Sequence, residues 1–71
     1  SAILAVRKAV IANLIANRGT AQTASQIAKV IGQPEKSTWV FKILESLAVN
    51  QAGSYERIST DNPLEDQFLA R

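Results

Sequence analysis

The sequence predicts a mainly α-helical domain with a small β-hairpin: three helices, the second and third joined by a tight break, then the hairpin and a short C-terminal helix. Three observations lead there. Apolar residues recur three and four apart over about 2–17, 23–31 and 34–48. Gly19, Gly32 and Pro34 stand where those patterns stop or restart. Ala52-Gly53 then divides two extended segments within about 49–58.

The first helix spans a run without Gly or Pro and is closed by Asn17-Arg18-Gly19, with Gly19 suited to a left-handed cap and Arg18 near the negative end of the helix dipole. Ile3, Leu4, Val10, Ile11, Leu14 and Ile15 are expected to form its core stripe. Arg7 interrupts that stripe. An unpaired buried guanidinium is too costly, so either the first two turns overhang the domain or Arg7 pairs with Glu65 or Asp66. Ala2, Ala5, Ala9, Ala12 and Ala16 form a row on the other side. That row is either a smooth face for close approach of another helix, as in a homodimer through residues 2–17, or a solvent face filled by the best helix former.

Thr23-Ala24-Ser25-Gln26 has the form of a capping box, with hydroxyl and amide exchanging hydrogen bonds across the first helical turn. Ala24, Ile27, Ala28 and Ile31 follow as one apolar face, and the small Ala28 allows a neighbouring helix to cross closely. The third helix starts at Pro34, with Glu35 beside its positive end. Val40, Phe41, Leu44, Leu47 and Ala48 form its core face, while Glu35, Thr38, Lys42, Glu45 and Ser46 lie opposite.

The pattern Ala24-x-x-Ile27-Ala28-x-x-Ile31-Gly32, a short turn, then Phe41-x-x-Leu44-x-x-x-Ala48-Val49 resembles the winged helix-turn-helix superfamily of DNA-binding domains. The resemblance covers roughly Ile11 to Thr60. It implies a three-helix winged helix-turn-helix fold, with the third helix reading the major groove of double-stranded DNA and the hairpin as a wing.

The expected wing strands lie on either side of Ala52-Gly53, and the second contains Tyr55-Glu56-Arg57-Ile58. Tyr55 and Ile58 have opposite parity in a strand, so without a bulge only one of them faces the core. Asn62-Pro63-Leu64-Glu65 has the form of a helix start, and a short helix over about 63–70 is expected to bring Leu64, Phe68 and Leu69 against the first helix.

Composition narrows the function classes. At 71 residues the chain is expected to be one domain, with 46% hydrophobic and only 6% aromatic residues, and a domain of this size buries only about 60% of its unfolded surface. It has no Cys and no His, which disfavours disulfide scaffolds, zinc sites and nucleophile-base catalysis. No catalytic residue, metal or cofactor is expected, and the default location is intracellular, in cytoplasm, nucleoid or nucleus. No membrane span is expected. The chain starts at Ser1 rather than Met, as expected either for a domain cut from a longer protein or for a processed chain. Its net charge of +2 is uneven: residues 1–60 carry +4 and residues 61–71 carry −2.

The expected function is therefore that of a DNA-binding domain of a transcriptional regulator. Its candidate contacts are Thr23, Ser25 and Gln26 at the start of the second helix, Lys36, Ser37, Thr38, Trp39 and Lys42 on the third, and Ser54 and Arg57 in the wing. Trp39 is either an aromatic anchor for a partner or the edge of the core. Glu35 and Glu45 offset Lys36 and Lys42, and this neutrality supports the alternative of a protein-interaction module using Trp39, Tyr55 or the alanine row.

Overall fold

In a computed structural model, which describes residues 2–71, the chain forms three α-helices and a small three-stranded antiparallel sheet. The elements in order are α1 (Ala2–Ala16), β1 (Gln22–Thr23), α2 (Ala24–Val30), α3 (Ser37–Asn50), β2 (Tyr55–Ile58) and β3 (Gln67–Ala70). Single 3-10 turns precede α3 (Pro34–Lys36) and β3 (Pro63–Glu65).

α1 carries apolar residues on every side, which leaves its phase ambiguous in the sequence. The side that packs inward carries Val6, Val10 and Leu14, with Asn13 among them. Of the expected stripe, Val10 and Leu14 are buried and Ile11 is half-buried, but Ile3, Leu4 and Ile15 are exposed. The Asn13 amide is accommodated by donating to Gln22 Oε1 at 2.8 Å, while its Oδ1 accepts from Asn17 Nδ2 at 3.0 Å. Arg7 is exposed and pairs with neither Glu65 nor Asp66, since Asp66 is taken by Arg57. Residues 2–5, the first turn of α1, are exposed, but Val6 in the second turn is already buried, so only the first turn stands clear of the core.

α2 begins with the capping box its sequence foretells. Gln26 N–H donates to Thr23 Oγ1 at 3.2 Å, and Thr23 N–H donates to Gln26 Oε1 at 2.8 Å. It ends where Gly32 turns left-handed at φ +79°, letting Gly32 N–H reach Lys29 O and Gln33 N–H reach Ala28 O. The following Pro34–Lys36 segment is a 3-10 turn rather than the first turn of α3, which starts at Ser37 and runs on to Asn50.

The C-terminal third departs from the expected layout. The hairpin is not over residues 49–58: Val49 and Asn50 are still in α3, and Ala52-Gly53 lies in the turn that follows it. Its two strands are β2 and β3, antiparallel with Tyr55 opposite Ala70 and Ile58 opposite Gln67, joined by the 59–66 loop. The helix expected over 63–70 is one 3-10 turn followed by strand β3. The cap is real, for Asn62 Oδ1 accepts from Leu64 N–H at 3.1 Å, but Asp66 then turns extended at ψ 143°. Beyond it Phe68 and Ala70 are buried with strand spacing of two.

β3 is the middle strand, pairing also with β1 through Gln22 opposite Phe68 and Thr23 opposite Gln67. Phe68 thereby joins Val6, Val10, Leu14, Ile27, Val40, Leu44 and Leu47 in one core. Phe41 meets it edge to face, with ring centroids 6.2 Å apart. Tyr55 packs against this core and Ile58 faces out, as their opposite parity requires. No helix among the described residues is long and apolar enough to cross a membrane.

Candidate functional site

α3 is covered by the core on one side only. Val40, Ile43, Leu44 and Leu47 turn inward, whereas Thr38, Lys42, Ser46 and Val49 stand in solvent along the opposite side. The hydroxyl-bearing start of α3 lies close to the start of α2. Ala24, Ser25, Ser37, Thr38, Phe41 and Leu64 line a hollow of about 110 Å³ there. Ser25, Ser37 and Thr38 are thus brought together, with Leu64 of the 59–66 loop beside them.

Trp39 sits at the edge of the outward face, 38% exposed, and is not part of the buried core. Lys36 Nζ lies 4.2 Å from its ring centroid, a cation–π geometry that holds the two side chains together. Lys42 lies a turn further along, and with Ile3, Leu4, Arg7, Ile43 and Ser46 it lines an open groove of about 280 Å³ between α1 and α3. Arg7, placed in a core stripe by sequence reasoning, is therefore a surface base next to Lys42. The signal for it was present in the chain, since an arginine amid apolar residues near a helix start suits an overhang.

Four of the expected contacts stand differently. Thr23 Oγ1 and the Gln26 side chain are bonded into the capping box, so each already serves the other's backbone. Ser54 is at the far end of α3, in a depression with Ile15, Arg18 and Arg71, away from Ser25 and Ser37. Arg57 points inward. Its Nε and Nη2 both lie 2.7 Å from Asp66 Oδ2 and its Nη1 3.0 Å from Glu45 Oε2, and its guanidinium stacks 5.6 Å from Phe41 and 5.4 Å from Phe68.

This arrangement explains how the loop is anchored. Asp66 is 3% exposed, and its second oxygen accepts from Thr60 N–H at 2.7 Å and lies 3.0 Å from Thr60 Oγ1. The Thr60 N–H and then Arg57 hold the Asp66 carboxyl below its usual range against the opposing effect of burial, and Asp66 in turn raises the Arg57 guanidinium. Glu45, Arg57, Thr60 and Asp66 form a clamp that ties α3, β2 and both ends of the loop together. Glu45 was expected on the open face of the third helix, and Asp66 on a terminal helix.

The ion pairs also sort the charge. Arg57 and Arg71 are matched with Asp66, Glu45 and Glu56. Arg7, Lys8, Arg18, Lys29, Lys36 and Lys42 have no carboxylate partner among the described residues, and all lie on the helices or the turns flanking them. The 59–66 loop, by contrast, has Asp61, Glu65 and Asp66 and no base. Comparison with protein-family models, with curated proteins and with solved structures returns no match to this chain.

Proposed function

We propose that the chain is a winged helix-turn-helix domain that binds double-stranded DNA, as the DNA-binding part of a transcriptional regulator, with α3 entering the major groove. The observation that carries this reading is the uncovered side of α3, where Thr38, Lys42 and Ser46 project from a helix held rigidly from behind. The order helix, strand, helix, helix, strand, strand and the β1-β3-β2 sheet support it. In this reading Thr38 reaches base edges, and Lys36 and Lys42 neutralise phosphates with Arg7 or Lys29 as a third. Ser25 and Ser37 add hydrogen bonds to the backbone, and Trp39 packs on the sugar-phosphate wall. The acidic 59–66 loop, the wing of this fold, stays clear of the phosphates, and the unpaired bases Lys29 and Arg7 supply the field instead.

Trp39 fluorescence and the anisotropy of labelled random duplex DNA test this directly. About three phosphate contacts give a log-log salt slope of about −2.7, so that affinity falls about 40-fold between 50 and 200 mM salt. Lys42→Glu is expected to weaken binding about tenfold or more at low salt and to shallow that slope by about 1, with the fold intact because Lys42 is exposed. Unchanged affinity in the variant removes Lys42 from the interface, and no binding at low salt overturns the DNA reading.

A second reading, a winged-helix protein-interaction module, is favoured by one feature of the same face. Trp39 and Val49 expose apolar surface on α3, a composition that suits a protein partner.

A further inference from the structure

We propose that this chain associates head to tail with further copies of itself, the 59–66 loop of one copy seating in the groove between α1 and α3 of the next. This does not rest on the DNA reading. The groove has an apolar floor and a basic rim: Ile3 and Leu4 are 50% and 61% exposed, Arg7 and Lys42 line the groove with them, and Lys8 borders an adjoining hollow at Leu4. The loop has the complementary form. Leu64 projects 65% exposed, with the carboxylates of Asp61 and Glu65 close by in the chain.

The loop is built to hold that leucine in place. Asn62 Oδ1 caps the Leu64 N–H, Thr60 Oγ1 donates to Asn62 O at 2.7 Å, and the clamp through Asp66 and Arg57 fixes the loop's end. A side chain fixed by a hydrogen-bonded turn loses little freedom on binding.

Leu64 lies on the Thr38 and Phe41 flank of α3, while the groove lies on the Lys42, Ile43 and Ser46 flank. A chain therefore cannot fill its own groove, and the contact is made between copies. A symmetric contact through α1 is disfavoured, because α1 has Arg7 and Lys8 and no carboxylate to meet them. The loop-to-groove contact joins two different surfaces, so a pair keeps one loop and one groove free, and growth continues beyond two unless the rotation closes a ring.

Sedimentation velocity of the 71-residue chain in low salt, up to about 1 mM for a small interface, is the experiment. The weight-average mass is expected to rise past that of a dimer and to fall back as salt is added. Leu4→Glu and Leu64→Ser, both at exposed positions and checked for fold by circular dichroism, are each expected to weaken association at least tenfold. An equimolar mixture of the two retains one intact loop and one intact groove, and is expected to form a one-to-one pair and stop there. A monomer at all concentrations, a wild-type dimer that grows no further and ignores Leu64→Ser, or a mixture that fails to pair would each overturn the proposal.

Discussion

Phe68→Ala is expected to leave the domain largely unfolded at 37 °C. Phe68 is 1% exposed, the largest fully buried side chain, and lies on the strand that joins both halves of the sheet. Truncating a buried phenylalanine costs about 3–5 kcal/mol, and a chain of this length has a total stability of about 4–10 kcal/mol. The variant also loses the edge-to-face contact with Phe41 and the apolar floor under the Arg57 guanidinium. Urea unfolding followed by circular dichroism measures this. Phe68→Leu, which keeps most of the volume, is expected to retain a cooperative transition at lower urea. A Phe68→Ala protein as stable as wild type would mean that residues 67–70 do not close the core.

Arg57→Ala is expected to cost about 2 kcal/mol, below the 3–5 kcal/mol of a fully buried pair because the guanidinium is partly open to solvent. The substitution removes both ion pairs and leaves the buried Asp66 carboxylate with Thr60 as its remaining donor. The same clamp has a pH signature. The Asp66 carboxyl is held below its usual range by Thr60 and Arg57, so folding favours its ionised form. The stability it contributes is complete above the ordinary aspartate range, near pH 4, and is lost as pH falls through the lowered folded value. Arg57 is charged throughout and does not alter that window. Acid unfolding followed at Trp39 should therefore show a loss below about pH 4 that Asp66→Asn flattens. A wild-type acid transition with the same slope as Asp66→Asn would remove Asp66 as its source.

How much of this was legible in the chain depends on whether local signals had competitors. The α2 cap at Thr23 and the left-handed stop at Gly32 each follow from residues within one helical turn and appear where the sequence places them. On α3, Val40, Leu44 and Leu47 are buried as expected, but Ile43 joins them and Phe41 and Ala48 are only half-buried. α1 was legible as a helix but not in its phase, because Ile3, Leu4, Ile11 and Ile15 are as apolar as Val6 and Val10. The C-terminal segment was misjudged because Asn62-Pro63-Leu64-Glu65 is a genuine helix start and only pairing with Gln22 and Tyr55, distant in sequence, turns the next residues into a strand. The candidate contacts followed the same rule. Ser25, Ser37, Thr38, Trp39 and Lys42 lie on helix surfaces whose direction is set locally. Arg57 was misplaced because its partners Glu45 and Asp66 come from other elements.

The central place of β3 has a consequence for the order in which the molecule can be completed. β1 and β2 are not neighbours in the sheet, so neither has a strand to pair with until residues 67–70 have been made. A chain leaving the ribosome can form its helices early, but their shared core lacks Phe68 and its sheet does not yet exist. The pairing of Thr23 with Gln67 then spans most of the chain, a long-range closure of the kind that slows folding. Until then the core of Val6, Ile27 and Leu44 lacks its largest member, and exposed apolar surface of that kind is what makes incompletely folded chains prone to aggregation.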